Sequence, residues 1–357
     1  MKTKQGAGAI VYCENAFNTP NGKTAHGLVR FTERFKVLSV IDNTYAGKDS
    51  GIVLDNKASG IPVMADLGTA YAHAISEKEK PEYFIIGLAP DGGRLPLTAR
   101  AAVLKAIDLG MDVVCGLHDF LSEDAEMIAA AKDKGVTLMD IRKPPHRNDL
   151  HFFSGEIEKV DSLKIALLGT DSAVGKRTSA WILVHELRRR GYKTEMIGTG
   201  QTAWMQGAKY SLVLDSLVND FVAGEIEHAV ISAWKEGAEI IVIEGQGSLM
   251  NPAYPGGHEI LAAGRPDLVI MQHAPARKEY DGFPGYPIHP LNDQIAAVKM
   301  LSGKPVIAIT VNHEDLRTEE IESACTLISN DTGLPATDVL IEGGGKLADV
   351  VLMHWKD

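Results

Sequence analysis

Cysteine is scarce. Cys13, Cys115 and Cys325 are the only three in 357 residues. They lie far apart, their number is odd and no C-x-x-C occurs, which argues against a disulfide framework or a structural zinc site. Buried reduced thiols are the expectation, and no metal-ligand set is expected. Long apolar runs are missing too. No segment approaches the roughly 20 residues of a membrane-spanning helix. The opening "MKTKQGAGAIVYCENAF" carries a short apolar run without a secretory h-region and cleavage site. A cytoplasmic protein with no membrane partner is therefore expected. Positive charge is also short: 36 Lys and Arg stand against 47 Asp and Glu, a net charge of −11. A nucleic-acid backbone is not the expected partner of such a chain. A small anion is still admissible, because a local cradle can be positive within an acidic protein.

What is present is a regular alternation. Short apolar runs alternate with helix-like segments, the pattern of parallel sheets with crossover helices. A boundary falls in "KPPHRNDLHFFSGEIEKV", where Pro144 and Pro145 oppose regular structure. It divides the chain into residues 1–150 and 151–357, about two domains' worth by length. The fold class expected is α/β. The first domain is Rossmann-like, with strands in "RFKVLSVID", "EYFIIGLAP", "MDVVCGLH" and "VTLMDIR" and a helix from Leu97 to Leu109. No G-x-G-x-x-G follows a strand there, so a dinucleotide site is unsupported. The second is P-loop-like with a mostly parallel sheet. Its strands are read in "LKIALLG", "KTEMIGTG", "AEIIVIEGQGS", "PDLVIMQHA", "KPVIAITVN" and "TDVLIEGGG". Ala180, Leu183, Val184 and Leu187 recur at i, i+3, i+4 and i+7 and mark the helix after "LKIALLG".

Between that strand and that helix lies "GTDSAVGKRTSA". The position suits a phosphate loop, since amides and a helix N-terminus there face an anion and glycines let backbone approach it. The usual pattern is G-x-x-x-x-G-K-[ST]. Here five residues separate Gly169 from Gly175, and Arg177 follows Lys176 where a hydroxyl residue normally reaches magnesium. A guanidinium has only donors and cannot ligate a metal; Thr178 would serve only in a shifted register. The candidate phosphate-binding residues are Gly169, Thr170, Asp171, Ser172, Gly175, Lys176, Arg177 and Thr178. The departures favour a nucleotide-containing ligand gripped by Lys176, Arg177 and amides without metal. Glu244 ends the strand "EIIVI", where such proteins carry a carboxylate for magnesium or water. Magnesium and general-base roles are not separable there from sequence. Asn312, after "VIAIT", lies where P-loop proteins often read a base.

"NGKTAHGLVR", "GTDSAVGKRTSA", "GTGQTAWMQG", "EGQGSL" and "QHAPARKEYDGFPGYPIHPL" occur in this order. Together they resemble a two-domain family long called a domain of unknown function, with a Rossmann-like N-terminal and a P-loop C-terminal domain. The resemblance runs from about Ala9 to the C-terminus, and the family includes a bacterial D-glutamate N-acetyltransferase. It implies acetyl-CoA as co-substrate, with its ADP-like head in the P-loop, and a small amino acid as acceptor. The C-terminal half also resembles dethiobiotin synthetase, in which threonine directly follows the lysine. Arg177 departs from that pattern.

Acetyl transfer to an amine needs a base, oxyanion donors and cations for the acceptor's carboxylates. His273, at the end of "PDLVIMQHA", is the first candidate base, with Glu244 and His258 behind it. Arg277 and Lys278 head a Pro- and Gly-rich segment too long and aromatic for a linker, which reads as a functional loop. Arg277 suits a substrate carboxylate. Gln201, Thr202 and Gln246 are candidate hydrogen-bonding partners for a polar substrate. A solvated surface or a core role is the plain alternative for each. The expectation is an N-acyltransferase acting on a small amino acid, D-glutamate first, in a homo-oligomer. An ATP-dependent ligase requiring Mg2+ and a non-catalytic nucleotide-binding regulator are the rivals.

Overall fold

A computed structural model of the chain describes residues 3–356. By packing it divides into two units: residues 1–145 with 201–207, and residues 146–200 with 208–357. The break after Pro145 falls at the di-proline, which opposes regular structure.

In the first unit, β1 (Ala7–Tyr12), α1 (Lys23–Arg30), β2 (Phe35–Ile41), α2 (Ser50–Asp55) and β3 (Val63–Met64) are followed by α3 (Leu67–Ser76). Then come β4 (Pro81–Ile86), α4 (Leu97–Asp108), β5 (Asp112–Cys115), α5 (Ala125–Lys134) and β6 (Leu138–Asp140). All strand pairs are parallel, in the order β3-β2-β1-β4-β5-β6. That is the order of a Rossmann sheet. β1 is the apolar run near the N-terminus, and all six of its residues are buried. A strand covered on both faces needs no polar alternation. Asp42, just past β2, is wholly buried and accepts from the amides of Ala16, Phe17 and Thr44. It pins the β1–α1 loop, so its carboxylate is engaged where a dinucleotide-binding protein would offer one to a ribose.

The second unit starts with β7 (Leu163–Gly169), α6 (Lys176–Arg189) and β8 (Thr194–Gly198). The helix α7 (Gln201–Gln206) follows in sequence but packs with the first unit. There Gln206 Nε2 donates to the carbonyls of Gly27 (2.8 Å) and Phe31 (3.1 Å), and Arg34 Nε donates to Trp204 O (2.6 Å). After it run β9 (Tyr210–Ser211), α8 (Asn219–Lys235), β10 (Ile240–Glu244), α9 (His258–Ala263) and β11 (Leu268–His273). α10 (Leu291–Ser302), β12 (Val306–Val311), α11 (Thr318–Thr332), β13 (Ala336–Thr337), α12 (Val339–Glu342) and α13 (Gly345–Lys356) complete the chain. The strands are again all parallel, ordered β13-β12-β11-β7-β10-β8-β9.

One expected strand is corrected. "TDVLIEGGG" contributes only Thr337 to the short β13 and then turns helical, because Asp338 caps α12 by accepting from Leu340 N and Ile341 N. The three thiols are buried and free; burial pushes the Cys115 thiol up to about 12. Among the described residues no helix is long and apolar enough to cross a membrane.

Candidate active site

The ends of β10, β7, β11 and β12 are brought side by side by the register of the second sheet. Glu244 pairs with Leu167, Gln272 with Gly169 and His273 with Val311. In an open parallel sheet this carboxyl edge is where ligands bind. The loop from Gly169 to Gly175 rises from it into α6. Gly175 is the N-cap of α6, with φ +102 and no side-chain cap on the helix. Only glycine adopts that conformation freely. A Cβ there would meet nothing nearer than Gln272 Nε2 at 3.7 Å. No side chain caps the first amides of this 14-residue helix, and a helix N-terminus of that kind suits an anion.

Lys176 is 7% exposed. Its Nζ donates to Asp171 O (2.6 Å) and to Gly247 O (2.8 Å), so the ammonium arches over the loop. Gly247, at φ +48, admits no side chain: a Cβ would fall 1.9 Å from Tyr254 O. Ser179 and Thr310 both donate to Gln272 Oε1, at 2.5 and 2.6 Å. That glutamine ties α6 to β11 and β12 and was missed in sequence. Its signal is one polar residue closing the apolar run "LVIM".

Asp171 is the hub of the site. Its side chain is wholly buried. Oδ1 accepts from Ser172 N and from Asn251 Nδ2 (2.8 Å); Oδ2 accepts from Arg277 Nη1 (2.9 Å) and Asp281 N (2.8 Å). One carboxylate thus ties the phosphate loop to the 247–257 loop and to the loop beginning at Ala274. Ser172 Oγ lies 3.5 Å from Asp281 Oδ2. Asp171 was expected to meet the ligand, but its acceptors are taken by the protein. Arg277 differs from expectation in the same way. Its fork holds Asp171, Ser172 O and Glu314 Oε2 (2.6 Å), so it is not displayed to a substrate carboxylate. Lys278 is exposed, and its Nζ donates to Pro275 O (3.2 Å).

Glu244 is buried at the end of β10, accepting from Thr199 N (2.9 Å). Burial pushes its carboxyl upward, while the nearby charge of Arg177 opposes that rise. Gln246 Nε2 donates to Thr199 Oγ1 (2.9 Å). Arg177, in the first turn of α6, thus supplies positive charge beside the strand-end carboxylate. Thr178 is half-buried in the same turn.

His273 is half-buried and shares a 3.0 Å hydrogen bond between Nδ1 and Thr170 Oγ1. Burial, and then the charge of Lys278, lower its imidazole to about 4. It is neutral at physiological pH. Asn312 N donates to His273 O (2.8 Å), and its Oδ1 accepts from Glu314 N. His258 is exposed at the start of α9, with Nε2 3.2 Å from Leu249 O. Thr202, expected to bond a substrate, is 2% exposed and shares a 3.0 Å hydrogen bond with Thr24 in the first unit. Gln201 packs against Gly116 there. Among the described residues no group of three or more His, Cys, Asp or Glu side chains could hold a metal ion.

This is a P-loop domain joined to a Rossmann-like domain. Residues 151–348 match the "Domain of unknown function (DUF1611_C) P-loop domain", and residues 43–144 match the "Domain of unknown function (DUF1611_N) Rossmann-like domain". The chain belongs to the DUF1611 family. It is 30% identical over 273 residues to a protein of Tritonibacter scottomollicae named D-glutamate N-acetyltransferase, covering 75% of this chain and 80% of that one. A Pseudoalteromonas protein of the same name is 29% identical, covering 73% and 78%. The crystal structure of a DUF1611 family protein from Anabaena variabilis superposes with a TM-score of 0.88 at 27% identity, over 98% of this chain and all of that one.

Proposed function

We propose that this chain transfers an acetyl group from acetyl-CoA to the amine of a small amino acid, with D-glutamate as the acceptor. The observation that carries the reading is the charge arrangement around the phosphate loop. Where a magnesium-nucleotide site has a hydroxyl beside its strand-end carboxylate, this site has Arg177 beside Glu244. A fixed guanidinium suits a diphosphate better than a hydrated cation. The α6 N-terminus without a side-chain cap and the arched Lys176 suit the diphosphate of coenzyme A. The names of the two relatives supply the reaction and the acceptor.

In the transfer, the acceptor's ammonium first loses a proton. The amine nitrogen then attacks the thioester carbon, a C–N bond forms, and the C–S bond breaks as the oxyanion collapses. The coenzyme leaves as a thiolate and takes up a proton. His273 is the base in this reading, because it is neutral, half-buried and held at Nδ1 by Thr170. Glu244 is the charge partner of Arg177, and the exposed His258 has no role in the chemistry. Lys278 takes an acceptor carboxylate in place of Arg277, whose fork is occupied. Its charge depresses the basicity of His273; pairing with a carboxylate offsets that depression and strengthens the base when the acceptor is bound.

The test is thermal. Acetyl-CoA in the presence of EDTA raises the Tm, because a ligand of the native state adds stability by mass action. Lys176→Ala loses most of that shift, since a hydrogen bond to a charged group contributes about 1.5–3 kcal/mol. A shift given only by ATP with magnesium would replace this reading with a ligase.

A further inference from the structure

We propose that Arg277 is a positioning residue that fixes the spacing between the phosphate loop and the turn receiving the base of the bound nucleotide. This rests on reading the Gly169–Gly175 loop as a phosphate cradle. The sequence suggests Arg277 for a substrate carboxylate, but the structure gives its fork two protein carboxylates instead.

One end of the tether is in the phosphate loop, where Nη1 donates to Asp171 Oδ2 and to Ser172 O, both at 2.9 Å. The other end is the turn after β12, where Nη2 donates to Glu314 Oε2 at 2.6 Å. The Arg277 side chain is 12% exposed, Asp171 is wholly buried and Glu314 is 41% exposed. A guanidinium is planar and holds its donors at fixed spacing, so it acts as a rigid spacer.

The two ends belong to different parts of a nucleotide site. Asp171 lies just past β7, at the start of the phosphate loop. Glu314 lies three residues past β12, which is separated from β7 by β11 alone. Two strand spacings are about 10 Å, of the same order as the ribose that separates a diphosphate from its base. The turn is itself fastened: Asn312 N donates to His273 O, and His313 Nδ1 lies 2.5 Å from the buried Asp338 carboxylate. With the turn fixed on one side and Asp171 on the other, the guanidinium sets the gap between them. A ligand reaching both ends depends on that gap, and a ligand occupying the loop alone does not.

Calorimetric titration of the full chain with ADP and with pyrophosphate separates these cases. Glu314→Ala cuts the exposed end and leaves the buried Asp171–Arg277 pair in place, so it keeps the fold. ADP affinity is expected to fall about fivefold, the upper size of a partly exposed ion pair, with pyrophosphate affinity unchanged. Arg277→Lys keeps the charge but cannot bridge both carboxylates, and gives the same split. Equal weakening of both ligands in either variant overturns the proposal, as does unchanged ADP binding. Unchanged ADP binding with a raised KM for the amino acid in Arg277→Lys returns Arg277 to the acceptor. If the unaltered chain binds neither probe, the phosphate-cradle reading itself fails.

Discussion

Asp171→Ala is expected to lower folding stability by about 3–5 kcal/mol, the cost of removing one partner from a buried ion pair. The reason is local. Asp171 is wholly buried and takes hydrogen bonds from Asn251, Arg277 and Asp281 on two other loops. Truncation takes the carboxylate acceptor from Asn251 Nδ2 and Asp281 N and leaves the Arg277 charge opposite only the half-exposed Glu314. Asp171→Asn keeps the shape and one of the two acceptor oxygens but drops the charge, so its loss is smaller. Denaturant unfolding reads both, as a lower midpoint at unchanged m-value. A change under about 1 kcal/mol in Asp171→Ala, the typical effect of any point substitution, would mean that the three loops are fastened elsewhere.

His273→Ala is expected to lower kcat by about 10²–10⁴-fold, the usual contribution of a general base, with coenzyme affinity unchanged. The imidazole acts on the acceptor amine and not on the phosphates. The pH profile carries a second signature. Burial and Lys278 lower His273 from its ordinary 6.5 to about 4, so the acidic limb of kcat/KM in the free enzyme falls near pH 4. Stability follows the same shift. The unfolded chain takes up this proton first as pH falls, so the contribution of neutral His273 is full above pH 6.5 and is lost as pH drops toward 4. A variant with wild-type kcat and an unmoved acidic limb makes His273 a structural residue. A collapse in Glu244→Gln alone moves the base to Glu244.

The strand "LKIALLG" could be read to the residue, because a central parallel strand is a near-continuous apolar run, broken here by Lys164. The loop after it announced itself by its glycines and Lys176. The place of Lys176 at the start of α6 and the strand-end position of Glu244 and His273 follow from the same local pattern. What sequence withheld is set over long separations. Asp171 and Arg277 stand 106 positions apart, and nothing local says that each is the other's partner. Arg277 therefore read as available to a substrate. Thr202 shows the same limit: it follows a strand of the P-loop sheet, but α7 packs against α1 and its hydroxyl meets Thr24. "TDVLIEGGG" was misread because its apolar residues suit a strand, while the capping carboxylate of Asp338 favours a helix.

The central claim is acetyl transfer by a metal-independent P-loop site, and one incubation tests it most directly. Purified chain is mixed with acetyl-CoA and D-glutamate in EDTA, and free thiol and N-acetylated amino acid are followed together. The account predicts both products in equal amounts over many turnovers, with no gain on adding magnesium or ATP. Release of neither product, with D-glutamate consumed only when ATP and magnesium are supplied, would contradict it.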